Sequence, residues 1–448
     1  MAIKNFNDLI KDNIEREKYL SIIETGLDAL NPKSIINNCV SLKNNLLIVK
    51  NKKFDLSKFE NIYLLGIGKG SYFLSLELFR KIKKINEGYV IDVNIKKNKD
   101  KSKVKFFKGT HPLPSIKNLN FSKFIVKRFY GKTKDRDLFI IIICGGGSAM
   151  LNLPFISFET LNQKISKKNY KNYLSKYINI NQQLLKSGAN IYEMNIIRKH
   201  IDSLKGGGLA KLLYPATIIS LIISDVPGND ISIIASGPTV KDKSTISDAW
   251  RLVKKFKINN LSRYDLIDTA KKKKYFRNVF NMLIVNNSLT LKIMNKKAKY
   301  LGLKSKILTS KLKDEVKNVA KFLFNKIIKS KYDVLLIGGE TNVKVKNIKG
   351  KGGRNQELVL WFLKYLSNSK NNNLGIIAIN SDGWDNTPFA GAIGDYLSLE
   401  KAKNNNLSIN KFLENNNSFK FFSKIKEGII TGRLPINISD IILVFKNK

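Results

Sequence analysis

Two cysteines in 448 residues leave no disulfide framework and no Cys-rich metal site. Cys144 closes an apolar run and reads as a buried thiol. The two histidines, His111 and His200, are too few to form a zinc site by themselves. Long apolar runs are missing as well: no stretch approaches the ~20 residues of a membrane span. Residues 1–17 carry charges of both signs, without the apolar core of a signal peptide. The expected address is therefore cytoplasmic, with no membrane partner. The chain has no Walker sequence and neither the Val-Ala-Ile-Lys nor the His-Arg-Asp signature of protein kinases. Acidic residues are scarce: 35 Asp and Glu face 80 Lys and Arg, a formal charge of +45. Such charge can track nucleic acid or anionic lipid, but a nucleic-acid binder gathers it on one stripe. Here it is scattered in short runs, such as Lys96, Lys97 and Lys99 or the four lysines 271–274, while Lys, Asn and Ile crowd the whole chain. That pattern reads as compositional bias, so nucleic acid is not the expected partner. The positive field still draws anionic substrates.

What is present is an ordinary globular balance, 43% hydrophobic and 26% charged, and length for two or three domains. Apolar runs at residues 62–67, 138–144, 218–223, 282–285, 334–337, 375–379 and 441–445 alternate with helical patterns. Continuous runs predict strands buried on both faces. The expected class is α/β, with two domains that each hold a mainly parallel sheet covered by helices. A Lys-rich stretch at 271–278 marks the expected break, giving domains 1–275 and 276–448. The Asn-rich segments 371–373, 404–406 and 415–417 read as exposed loops.

Ligands in such folds lie outside the carboxyl ends of strands, and that is where the unusual clusters fall. Gly66-Ile67-Gly68-Lys69-Gly70-Ser71 nearly matches a dinucleotide fingerprint, with Ser71 for the third Gly. Asp92 stands about 20 residues on, where a ribose-binding acid is expected. Lys69 turns the loop toward a phosphate or carboxylate; the alternative is a tight turn with an exposed Lys. Gly145-Gly146-Gly147-Ser148 can form a backbone nest for oxyanions, or a strained turn. Arg198-Lys199-His200 and Lys205 are donors for an acid or phosphate, or a solvated face. Asp225, after the run 218–223, can hold Mg²⁺ or take a hydroxyl proton, or cap a turn. Gly339-Glu340 is followed by Gly352-Gly353-Arg354-Asn355, where the Arg fork could face a phosphate. Ser381-Asp382-Gly383-Trp384-Asp385 offers two carboxylates for metal or base duty, or an Asx turn. Together these loops hold what phosphoryl transfer needs: donors for transferred charge, and carboxylates for Mg²⁺ and the nucleophile.

In order along the chain, these segments resemble the class II glycerate 2-kinases, whose C-terminal part is called the MOFRL domain. The motifs are Gly-Ile-Gly-Lys at 66–69, Gly-Thr-His-Pro-Leu-Pro at 109–114 and Cys-Gly-Gly-Gly-Ser-Ala at 144–149. Segments 195–207, 224–228, 235–239 and 350–357 continue the likeness, which covers almost the whole chain. The resemblance implies two α/β domains with the active site in the cleft between them. It implies ATP, Mg²⁺ and D-glycerate, giving 2-phosphoglycerate. Lys69 and Arg354 would act on substrate and transferring phosphoryl group. Asp225 and Asp382, with Glu340, would serve metal or hydroxyl. Gly68, Gly145, Gly146, Gly147, Ser148, Gly352, Gly353 and Asn355 would bind nucleotide phosphates, and His111, Arg198 and Lys205 the acid. A homodimer is compatible with this reading; the sequence sets no oligomeric state. Departures gather at the acceptor end. Ser115 stands for Asp, Asp202 for Ser, Gly208 for Arg, and Gly-Arg-Leu-Pro-Ile-Asn at 432–437 for Gly-Pro-Thr-Gly-Thr-Asn. A longer sugar acid in surface-polysaccharide metabolism is thus an alternative acceptor.

The rival is an NAD(P)-dependent hydroxypyruvate reductase, resting on the loop at Gly66 and on Asp92. Thermal shift separates them: the kinase reading expects stabilisation by ATP with Mg²⁺, and stabilisation by NADH alone overturns it.

Overall fold

Strands covered on both faces are the physical demand of the long apolar runs, and in the computed structural model of the chain every one of those runs lies in a strand. The structure describes residues 1–95, 103–161, 167–226 and 228–447; Lys96, Lys97, Lys99 and Pro227 lie outside them. Contacts divide the chain into two compact units, Ile35–Ile284 and Met1–Ser34 with Val285–Lys448.

The unit Ile35–Ile284 opens with an antiparallel meander of β1 (Val40–Lys43), β2 (Leu46–Val49) and β3 (Lys52–Asp55). Its main sheet holds β4 (Asn61–Ile67), β5 (Glu87–Asp92), β6 (Val104–Lys108), β7 (Asp137–Ile143), β8 (Thr217–Ile223) and β9 (Val279–Val285), in the order β6-β5-β4-β7-β8-β9. From β4 to β8 all pairings are parallel, as the apolar runs predict. The chain builds outward from β4 through β5 to β6, then returns to add β7 on β4's other side. That reversal makes the carboxyl ends of β4 and β7 a topological switch point. Beneath it Tyr63, Phe129 and Phe139 pack with ring centroids 4.8–5.1 Å apart.

The other unit has a six-stranded sheet of β10 (Ser305–Leu312), β11 (Val334–Gly339), β12 (Leu374–Asn380), β13 (Gly391–Gly394), β14 (Gly428–Ile429) and β15 (Asp440–Lys446). The order is β10-β11-β15-β12-β13-β14, and only β10–β11 is parallel; β15 enters between β11 and β12 antiparallel to both. The expectation of a mainly parallel sheet is therefore corrected here. An apolar run records cover on both faces and carries no information on strand direction.

The expected domains 1–275 and 276–448 are corrected too. β9 is the last strand of the first main sheet, and the first 34 residues belong with the C-terminal unit. The helix Arg16–Asp28 explains the second point. Tyr19 stacks on Phe445 with centroids 4.0 Å apart. Gly26 faces Met294 so closely that a Cβ would stand 2.8 Å from its sulfur. Arg16 is fully buried, its guanidinium on Asp395 at 2.6 and 2.8 Å and on Glu427 at 2.7 Å. Lys401 joins Glu427 at 2.8 Å.

Removing the Arg16 guanidinium would leave buried Asp395 without its cation and Glu427 with Lys401 alone. Arg16→Ala is expected to cost about 3–5 kcal/mol in chemical denaturation; a loss below ~1 kcal/mol, typical of a surface ion pair, would show the network to be dispensable.

Candidate active site

In the unit Ile35–Ile284 the switch point is packed through glycine. Gly68, after β4, has φ +106°, and a Cβ there would stand 2.5 Å from the Cys144 carbonyl oxygen. Only glycine lets the two loops lie this close, and the Lys69 N–H donates to the Gly145 carbonyl at 2.9 Å. A Cβ on Gly145 would fall 2.1 Å from Asp225 Oδ2. One on Gly146, at φ +77°, would fall 2.8 Å from His111 Cδ2 and 3.3 Å from Lys69 Cε. Lys69, His111 and Asp225 therefore gather around Gly145 and Gly146, with Lys69 and Asp225 half-buried and His111 exposed. Desolvation of the ring and the Lys69 ammonium lower the His111 pKa, so the imidazole is neutral at pH 7.

Behind that cluster the turn is braced. Ser148 Oγ meets Ser236 Oγ at 2.6 Å, and Ser236 donates to Asn195 Oδ1 at 2.6 Å. Lys205 donates to the carbonyls of Ser148 and Leu151, both at 2.8 Å, and pairs with Asp202 at 3.1 Å. Lys205 is 1% exposed. Its expected place on the acid is corrected: it ties down the short helix Gly147–Met150. Asp202, one of the departures from the family pattern, is the carboxylate that this buried ammonium needs. Arg198 is held on Asn181 Oδ1 at 2.8 Å. His200 is buried, with Nδ1 at the Ile267 carbonyl, and reads as structural.

Asp92 is buried, and its Oδ2 accepts the N–H groups of Gly70 at 2.8 Å and Tyr72 at 3.0 Å. It caps the helix Ser71–Lys81. The acid that a dinucleotide needs for its ribose, and donors that its pyrophosphate needs, are thus spent on each other. This removes the basis of the reductase reading.

In the other unit the corresponding edge is formed where β11 and β12 end and β15 begins. Asp440 lies opposite Gly339 on one side and Asn380 on the other. It is fully buried and takes Arg354 Nε at 2.8 Å and Nη2 at 3.0 Å. Burial pushes Asp440 up to about 6 against the opposing Arg354 charge, so it is ionised at pH 7. Glu340, half exposed, meets Arg354 Nη1 at 2.5 Å. Asp385 is buried and accepts the N–H groups of Asn355 and Gln356 at 3.2 and 2.9 Å, capping the helix Arg354–Ser367. Asn355 is buried, and its amide donates to Asp385 and Asp440. A Cβ on Gly352 would meet Ser418 Oγ at 2.2 Å, and one on Gly353 the Asp385 carbonyl oxygen at 2.0 Å. The expected phosphate contact of Asn355 is corrected accordingly: its side chain and N–H are committed to Asp385 and Asp440.

Asp382 accepts the Trp384 N–H at 3.1 Å, the Asx turn weighed for this segment. The 432–437 loop is seated on it. Leu434 N–H donates to the Asp382 carbonyl at 2.7 Å, and Asn437 reaches Asp382 Oδ2 at 3.4 Å. Arg433 lies over the Trp384 ring at 4.0 Å from its centroid. The Asn-rich segment 415–417 is not simply exposed: Asn416 is buried and binds Glu357 and the backbone of 344–347. Among the described residues no group of three or more His, Cys, Asp or Glu side chains converges on a point fit for a metal ion. Glu340 faces Arg354 rather than further carboxylates.

Asp440 is the residue that sequence reasoning missed. It precedes the run 441–445, whereas acids were sought after runs. Only the antiparallel direction of β15 brings it to the edge where β11 and β12 end. Asp385 was seen, but its capping role required the fold.

Two family models match the chain: a domain of unknown function, DUF4147, over residues 18–265 and the MOFRL family over 333–440. A glycerate 2-kinase of Picrophilus torridus is 34% identical over all of both chains. A glycerate 2-kinase of Pyrococcus horikoshii is 30% identical over 96% of each. A crystal structure of a Pyrococcus horikoshii protein matches with a TM-score of 0.80 at 29% identity, over 97% of this chain and 98% of that one. With both family models matched and relatives 30–34% identical over almost its whole length, the chain belongs to the class II glycerate 2-kinase family.

Proposed function

We propose that the protein transfers a phosphoryl group from ATP to a hydroxyl of a small hydroxy acid, with D-glycerate as substrate and 2-phosphoglycerate as product. The observation that carries this reading is the gathering of Lys69, neutral His111 and Asp225 on the Gly145–Gly146 turn at the switch point of a parallel sheet. The names of the full-length relatives point to the same chemistry.

In this reading Lys69 neutralises charge on the transferred phosphoryl group, and its half-buried position strengthens that contact over one in open water. Asp225 supplies the carboxylate, for the acceptor's hydroxyl proton or for the cation. Neutral His111 can hydrogen-bond the acid without competing for its counter-charge. Within the C-terminal unit, Arg354, held by Asp440, is a cationic group suited to a phosphate. Mg²⁺, if held by Asp225 or Asp382, would supply charge neutralisation for the nucleotide phosphates. Single carboxylates such as these suit Mg²⁺ better than a closed protein cage. Arg433 and the loop 432–437 beside Asp382 favour testing acids longer than glycerate.

ATP consumption should be measured across D-glycerate, tartronate, tartrate and longer sugar acids. Turnover is expected with D-glycerate, and Lys69→Ala should lower kcat at least a hundredfold, the equivalent of ~3 kcal/mol at the transition state. Near-normal turnover of that variant would remove Lys69 from the chemistry.

Protonating Asp440 frees Arg354 from its anchor, so kcat should fall as pH drops through about 6. The folded-state value lies above the ordinary 3.8, so the fold binds this proton more tightly than the unfolded chain. This group's contribution to stability therefore rises as pH falls from about 6 toward 3.8, opposite to activity. Asp440→Asn should lose that acid limb; a limb unchanged in the variant would assign it to another group.

A further inference from the structure

Arg354 has two carboxylate partners, and they differ in kind. Asp440 is fully buried and holds Nε and Nη2 at 2.8 and 3.0 Å. It is also locked from behind, since Asn287 donates to its carbonyl at 2.8 Å and Asn355 to its carboxylate at 2.9 Å. Glu340 touches only Nη1, at 2.5 Å, and its side chain is 49% exposed. Its backbone is fixed at the end of β11, where its N–H donates to the Leu312 carbonyl at 2.8 Å, but among the described residues nothing comparable confines its side chain. A buried, doubly bonded carboxylate leaves an Arg only at great cost, whereas a half-exposed single contact exchanges readily with solvent and with other anions. The guanidinium has five N–H donors in a fixed fork. With Nε and one N–H of Nη2 on Asp440, the Nη1 side is the part open to exchange, and that is the part that Glu340 covers.

We infer that Glu340 is an exchangeable counter-ion of Arg354: it covers the Nη1 side of the guanidinium and gives that place to a phosphoryl oxygen of the substrate, while Asp440 stays bound. A phosphoryl group offers anionic oxygens that accept the same kind of charge-assisted N–H bond as the departing carboxylate. The exchange keeps Arg354 satisfied throughout, so the site avoids both an unpaired cation and a permanently blocked one. Glu340 would also screen Arg354 from adventitious anions, at the expense of some affinity for the true ligand. The inference rests on the reading of Arg354 as a phosphate contact, and it replaces the sequence expectation that Glu340 binds Mg²⁺.

The test is calorimetric titration of the full chain with inorganic pyrophosphate, without divalent metal, at low ionic strength. Glu340→Gln removes the competing charge at an exposed position and should tighten pyrophosphate binding at least threefold. In an Arg354→Ala background the same substitution should change nothing, because there is no longer a place to contest. Unchanged or weaker binding in Glu340→Gln, or equal tightening without Arg354, would overturn the exchange. A metal-ligand role for Glu340 predicts the contrary pattern: no gain without metal, and a higher Mg²⁺ requirement in the variant. Because pyrophosphate is titrated without an acceptor, this outcome is independent of turnover. A chain that phosphorylates D-glycerate yet shows no tightening would sink only the exchange, and a chain that phosphorylates no acid would sink the functional reading alone.

Discussion

The candidate site depends on how closely two loop backbones can approach at the carboxyl ends of β4 and β7. Gly68 touches the Cys144 carbonyl, Gly145 leaves room for Asp225, and Gly146 leaves room for His111 and Lys69. Any side chain at these positions would push Lys69, His111 and Asp225 away from the turn. The parallel sheet below supplies the rigidity. Its central strands β4, β7 and β8 are buried on both faces and closely packed, so the loop ends have little freedom to drift.

A second constraint is electrostatic. The chain carries an excess of 45 positive charges, yet the deeply buried cations identified here have carboxylate partners: Arg16 with Asp395 and Glu427, Lys199 with Asp242, Lys205 with Asp202. Unpaired burial would be too costly for any of them. Solvated surface lysines carry the excess instead, where it costs little and raises the local concentration of anionic substrates. Arg354 combines the two situations, with one side fixed in the interior on Asp440 and the other facing a half-exposed acid.

Buried carboxylates also decide which helix starts are available to a ligand. Asp92 caps the helix Ser71–Lys81 and Asp385 the helix Arg354–Ser367. Both helix starts follow glycine-rich loops that look, in one dimension, like phosphate sites. Their N–H groups at Gly70, Tyr72, Asn355 and Gln356 are already satisfied, so a phosphate there would have to displace an internal carboxylate. The triple-glycine turn differs in what crowds it: the side chains of Lys69, His111 and Asp225.

The sequence by itself determined the α/β class and the positions of the strands that build both sheet centres, and it singled out the loops that carry Lys69, His111, Gly145, Gly146 and Asp225. Long apolar runs mark buried strands, and glycines beside charged residues mark the loops that follow them, so both are local signals. Short or half-exposed strands such as β6 and β10 lacked such runs and were not legible. The tertiary structure alone decided the direction of β15, and with it the place of Asp440, because burial does not record direction. It alone assigned residues 1–34 to the C-terminal unit, since Arg16 resembles any surface charge until Asp395 and Glu427 are brought round it. It also turned Lys205 and Asn355 from expected ligand contacts into internal braces. Whether a polar side chain meets a substrate or a neighbouring carbonyl depends on which distant backbone is folded against it, and no local pattern contains that.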